Sequence, residues 1–152
     1  KATRSLLDRD THLPGPSDQV ICLRNNHDEG LFNGMIGVIQ ELVDYDDTWY
    51  QAQIQFPDRS MPYVGMIYKA QFHAPKTIPY EDITDQETDG DLFDFGYAMT
   101  VHKAQGSQAK RVILFEERFK QMDDEEWKRW LYTAVTRAEE ELYIIGDAQK
   151  RT

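Results

Sequence analysis

The spacing of hydrophobic and polar positions changes character along the chain, and each change predicts a different kind of element. Residues 19–24, Gln-Val-Ile-Cys-Leu-Arg, form a short apolar run that reads as a buried strand. Residues 25–30 are turn-like, and Asn33-Gly34 then allows a positive φ at low cost. Residues 37–56 read as a hairpin, with strands over 38–43 and 49–56 and a turn over 44–48. In the second strand Ala52, Ile54 and Phe56 face one way, and Gln51, Gln53 and Gln55 the other. Pro57-Asp58-Arg59-Ser60 is another turn, and residues 61–72 hold one or two further strands. Short strands joined by close turns predict a small β-barrel.

After Phe95 the period lengthens. Residues 97–100 read as a strand end, followed by a short helix or loop through Gln108, and residues 111–115 read as a strand. The clearest helix covers 123–140. Asp123 and Glu126 have capping-box spacing, and Trp127, Trp130, Leu131, Ala134, Val135 and Ala138 share one apolar face. Residues 142–145 form a closing strand before Gly146-Asp147. Strand, helix, strand in this order predicts an α/β layer with parallel strands.

Charge refines this division. The 152 residues carry a net charge of −10, which argues against a generic nucleic-acid binder. The acidity is concentrated: residues 31–96 hold 12 acidic and 3 basic side chains, whereas 97–138 hold 6 acidic and 8 basic. Residues 81–94 carry 7 acids and read as a solvated loop. Residues 1–17 are polar, end in Leu13-Pro14-Gly15-Pro16 before Ser17, and read as a tail or linker. The chain opens on Lys1 rather than Met, which reads as a trimmed chain or an interior piece of a longer protein. No apolar run approaches the roughly 20 residues of a membrane span, and the lone Cys22 provides neither a disulfide nor metal-site spacing. A cytoplasmic setting is expected.

Two stretches carry chemistry. One is Tyr97-Ala98-Met99-Thr100-Val101-His102-Lys103-Ala104-Gln105-Gly106-Ser107-Gln108; the other is Leu131-Tyr132-Thr133-Ala134-Val135-Thr136-Arg137-Ala138. The first resembles motif V, and the second motif VI, of RecD-like and Dda-like superfamily 1 DNA helicases. The run ending Phe32-Asn33-Gly34-Met35-Ile36-Gly37 resembles the family segment that leads into a small Src-homology-3-like insert. The resemblance covers about residues 18–147. It implies an α/β fold: residues 18–36 and 95–152 belong to a partial RecA-like parallel sheet with helices, the second such domain of the motor. Residues 37–94 form the inserted SH3-like β-barrel.

The same resemblance implies roles. Arg137 is the arginine finger, the one catalytic residue here, delivered across a cleft to the γ-phosphate of ATP. Such a finger is worth about 10³–10⁵ in rate in other phosphoryl-transfer systems. On the helix it lies at the rim of the apolar face, which leaves open an ordinary surface arginine paired with Glu141 at i+4. Gly106 and Gln108 face the nucleotide. Many relatives carry Glu where this chain has Gln108, which keeps an acceptor and removes a charge. Thr100 and His102 touch the backbone of single-stranded DNA without reading sequence. Lys103 adds charge there, and Asn33 helps at the same channel. The plainer readings are a partly buried histidine, a solvated lysine and a turn asparagine.

The tryptophans of the helix read as core rather than as a base-stacking platform. No Gly-x-x-x-x-Gly-Lys-Ser/Thr segment occurs, and no acidic box stands out after a strand. ATP and Mg²⁺ are therefore expected to need the upstream first RecA-like domain, with this piece inactive alone. Further expected partners are single-stranded DNA and a protein docked on the acidic barrel. A non-catalytic adaptor and an RNA-directed motor are the alternatives.

Overall fold

Alternation of apolar and polar residues places the strands, and buried aromatics fix how they pack. The computed structural model describes residues 12–83, 87–116, 118 and 121–146. The chain divides into two compact units, one ending at Ala98 and the other beginning at Met99. The tail expected over 1–17 lies outside the described residues up to position 11. Residues 12–17 hold no helix or strand, but the Ser17 amide donates to the Ile39 carbonyl at 2.6 Å.

In the first unit β1 (Gln19–Cys22), β2 (Ile36–Asp44), β3 (Trp49–Gln55), β4 (Tyr63–Tyr68) and β5 (Phe93–Phe95) form one antiparallel sheet, ordered β4-β3-β2-β1-β5. The expected hairpin is present. Its turn is fixed by the Asp46 carboxylate, which accepts from the amides of Thr48 and Trp49, each at 2.7 Å. Register runs from Asp44↔Tyr50 to Val38↔Gln55, with an irregularity between Ile39 and Glu41. Val20, Cys22, Leu31, Ile39, Ala52, Ile54, Phe56, Tyr63, Ile67, Phe72 and Phe93 form the core. Gly34 has φ +96, as Asn-Gly predicts, and its amide donates to the Cys22 carbonyl at 2.8 Å. Burial pushes the Cys22 thiol up to about 11, so it stays a thiol at neutral pH.

Other expectations are met only in part. Among the described residues neither sheet closes on itself; an isolated bridge joins Ile67 of β4 to Asp91, just before β5. Residues 61–72 hold one strand, within the one or two expected, and a 3-10 turn follows at Lys69–His73. Of the acidic stretch 81–94, residues 84–86 lie outside the described residues, and the remainder is only partly a solvated loop. Ile83, Leu92 and Phe93 are buried, Asp91 is buried, and β5 pairs with β1. Its apolar residues sit at the ends of the acidic run, where the sheet edge takes them in. The Asp91 carboxylate accepts from the Tyr63 hydroxyl at 2.8 Å and from Asn26 Nδ2 at 3.0 Å. Burial, then the adjoining Asp91 carboxylate, raises the Tyr63 hydroxyl above its ordinary range.

The second unit is built from β6 (Ala109–Phe115), α1 (Asp124–Val135) and β7 (Ala138–Ile145), with β6 and β7 parallel from Ala109↔Ala138 to Phe115↔Ile145. The parallel pairing matches the sequence pattern. The helix is shorter than expected: it ends at Val135, and Ala138–Ile145 is strand. Two contacts stop it. Thr136 bonds back to the Tyr132 carbonyl, and the Ala109 amide captures the Arg137 carbonyl at 2.9 Å, starting the ladder. Only Ala134 of the helix is buried; Trp127 and Trp130 are half-buried and stack at 5.1 Å with planes 14° apart. Ile113, Phe115, Tyr143, Ile144 and Ile145 are exposed. No helix among the described residues is long and apolar enough to cross a membrane.

Removing the Tyr63 hydroxyl leaves the buried Asp91 without one of its donors. Tyr63→Phe is expected to lower stability by about 1–3 kcal/mol, read by denaturant unfolding. A change near zero would show that this bond is not part of what holds the first unit.

Candidate nucleotide and nucleic-acid site

Residues 100–107 form a compact turn that presents its side chains outward. The Ala104 amide donates to the Thr100 carbonyl at 3.1 Å, Gln105 to His102 at 3.3 Å, and Ser107 to Ala104 at 3.1 Å. Thr100 Oγ1 accepts from the Lys103 amide at 3.4 Å, and Ser107 Oγ donates to the Ala104 carbonyl at 2.8 Å. Gly106 has φ +89, a backbone that L side chains rarely adopt. A Cβ there would meet nothing within 4 Å, so conformation rather than crowding calls for glycine. Thr100, His102, Lys103, Gly106 and Gln108 are all exposed. The partly buried state weighed for His102 is therefore not what the structure has. His102 borders an open hollow of about 350 Å³ with Val101, Gln105, Met122 and Trp130.

Helix α1 delivers the arginine. Asp123 caps its start: Oδ1 accepts from the Glu126 amide at 2.8 Å, while Glu126 Oε2 accepts from the Asp123 amide at 3.3 Å. Asp124, Glu125 and Glu126 in the first turn suit the positive end of the helix dipole. Arg118 hydrogen-bonds Asp124 at 2.6 Å and holds that carboxyl below its ordinary range. Arg137 follows the helix by two residues and is half-buried.

Among the described residues its guanidinium is held by neutral oxygens. Nε donates to the Thr133 carbonyl at 2.9 Å, one terminal nitrogen to the Ser107 carbonyl at 3.0 Å, and the other to Thr136 Oγ1 at 3.0 Å. The Glu141 pairing left open by the helical spacing does not occur; Glu141 lies 3.3 Å from Arg111 across the β6–β7 ladder. Arg137 forms no ion pair among the described residues. The two motif segments are thus brought together through the Ser107 carbonyl. Asn33 belongs to the first unit, where it is exposed and its amide donates to Asn25 Oδ1 at 2.8 Å.

The spacing missed Ser107 and Thr136 as partners of the arginine. A backbone acceptor leaves no trace in residue type. The hydroxyl next to Arg137 was visible, but it is placed there only because the helix ends at Val135. Among the described residues no cluster of His, Cys, Asp or Glu could hold a metal ion.

Residues 95–145 match the family described as the UvrD-like helicase C-terminal domain. An uncharacterized protein of Methanocaldococcus jannaschii is 30% identical over 147 residues, spanning 88% of this chain and 11% of that protein. The ATP-dependent RecD2 DNA helicase of Deinococcus radiodurans is 27% identical over 137 residues, spanning 88% of this chain and 14% of that protein. The chain therefore covers only a small part of the length of these relatives. The crystal structure of the Pif1 helicase from Candida albicans is similar over 94% of this chain and 35% of its own, with 18% identity and a TM-score of 0.48.

The cap that starts α1 also sets where the helix delivers its last residues. Asp123→Ala is expected to cost about 0.5–2 kcal/mol and to reduce helical signal on heating, measured by circular dichroism. An unchanged melting profile would mean that packing alone fixes the helix.

Proposed function

We propose, from the premise that the chain carries the C-terminal domain of a superfamily 1, UvrD-like helicase, that it supplies half of an ATP-hydrolysing centre. The whole protein, on this reading, is an ATP-dependent motor that moves on single-stranded DNA and unwinds duplex. Arg137 is the arginine finger. Gly106 and Gln108 lie against the nucleotide, and Thr100, His102, Lys103 and Asn33 along the strand. Residues 18–36 and 95–152 are assigned to the second RecA-like domain and 37–94 to a small SH3-like insert. The bridge between Ile67 and Asp91 is the contact that favours a barrel there.

The observation that carries the proposal is the charge state of the Arg137 surroundings. A guanidinium has five N–H donors, and three of them are engaged here. One N–H on each terminal nitrogen remains for an incoming phosphate. Because all three acceptors are neutral, the positive charge is positioned without being cancelled. Phosphoryl transfer needs such a group, since its catalysis rests on positioning and electrostatic stabilisation of charge on the transferred phosphoryl.

A first RecA-like domain would contribute the phosphate loop and the Mg²⁺ ligands. The exposed apolar side chains on β6 and β7 support a larger layer, since parallel sheets normally bury both faces. ATP bound between the domains would draw them together, and the turn over 100–107 would then move with the grip on the strand. Exposed hydroxyl, imidazole and ammonium groups at Thr100, His102 and Lys103 suit phosphate contacts that carry no sequence information.

A second reading is favoured by one observation. Val43 and Tyr45 are exposed beside Glu41, Asp44, Asp46 and Asp47 on the β2–β3 hairpin, a surface suited to a basic protein partner. Tight strand binding that ignores nucleotide would favour such an adaptor. Competition by an RNA strand of equal length separates an RNA motor, through the 2′-hydroxyl.

Arg137→Ala in the complete motor is expected to lower DNA-stimulated ATP turnover by about 10³-fold with strand binding retained. Near-normal turnover in folded enzyme would reject the finger role.

A further inference from the structure

The acceptors around Arg137 are not equivalent. Two are backbone carbonyls, at Thr133 and Ser107, and any residue type would supply them. The third is the Thr136 hydroxyl, which depends on a side chain. That hydroxyl has one proton, and it already lies 2.9 Å from the Tyr132 carbonyl and 3.1 Å from the Thr133 carbonyl. With the proton committed to the helix end, its lone pairs turn toward the guanidinium. Thr136 is the C-cap of α1, with φ −74 and ψ 0, so its side chain is fixed by the same bonds that stop the helix.

We infer that Thr136 is a positioning residue for phosphoryl transfer. Its hydroxyl, with the Ser107 carbonyl, grips the two terminal nitrogens of Arg137 from opposite motif segments and aims their free N–H groups at the nucleotide. The inference rests on the finger role of Arg137. It adds that the aim is set before nucleotide arrives and that one replaceable side chain sets it. A neutral acceptor suits this task. A carboxylate at the same place would hold the arginine as firmly but would cancel the charge it has to deliver. The other arm of the grip, Ser107, closes the turn that carries Thr100 and His102, so the aimed arginine and the proposed strand contacts are joined through one hydrogen-bonded turn.

The chemistry predicts a particular kinetic signature. Loss of the hydroxyl leaves the arginine present but loosely aimed, which weakens an interaction made in the transition state and spares ground-state binding. The test compares Thr136→Val, Thr136→Ser and Arg137→Ala in the complete motor, with thermal melting to establish that each is folded. Thr136→Val removes the hydroxyl at nearly constant volume. It is expected to lower kcat about tenfold with KM for ATP and affinity for a single-stranded oligonucleotide unchanged, and Thr136→Ser should restore kcat. If Thr136→Val fails to fold, Thr136→Ala takes its place in the same comparison. Wild-type turnover in the hydroxyl-free variant, or equal impairment in Thr136→Ser, overturns the inference while Arg137→Ala still abolishes activity. Near-normal turnover in Arg137→Ala instead overturns the finger reading itself.

Discussion

An arginine at the end of a helix is commonly neutralised by a nearby carboxylate, and this chain offers one at the right helical spacing, Glu141. The fold withholds it. Because the chain leaves the helix at Thr136 and enters β7 at Ala138, Glu141 sits in a strand opposite Arg111, which claims it. Arg137 is left with three uncharged acceptors drawn from the helix end and from the turn before β6. That arrangement holds a full positive charge at a defined place. The proposed chemistry depends on it.

The rest of the second unit can be understood as the support for that placement. The capping box at Asp123 fixes the start of α1, and the Thr136 back-bonds fix its end. Gly106 lets the turn fold back at φ +89, so that the Ser107 carbonyl comes within reach of the guanidinium. The parallel ladder from Ala109↔Ala138 then joins the two segments immediately beyond the contact. The first unit is organised on a separate principle, a packed aromatic and aliphatic core that also takes in hydrogen-bonded polar residues at Asp18, Gln71 and Asp91.

Much of the fold was legible because its signals are local. The period-two pattern around Ala52, Ile54 and Phe56, the Asn33-Gly34 turn and the Asp123–Glu126 cap each depend on neighbours a few residues away, and each is found. The misjudged elements depend on distant partners. Nothing in residues 136–140 announces a strand until β6 is there to pair with it. The acid-rich stretch hid β5, since charge counting weighed seven carboxylates against Leu92 and Phe93, which the core takes in. Trp127 and Trp130 have core spacing, yet they stack on each other half-exposed. The site followed the same rule. The motifs offered Thr100, His102, Lys103, Gly106, Gln108 and Arg137 as candidates, whereas the Ser107 carbonyl that links the two segments left no mark in the sequence.

The most direct measurement is a structure of the complete motor with ADP and an aluminium fluoride mimic of the transferring phosphoryl group. Both terminal nitrogens of Arg137 are expected within about 3 Å of fluoride or phosphate oxygen, with the Ser107 and Thr136 bonds still in place. A guanidinium turned away from the mimic, or one that reaches it only after abandoning both of those oxygens, would contradict it.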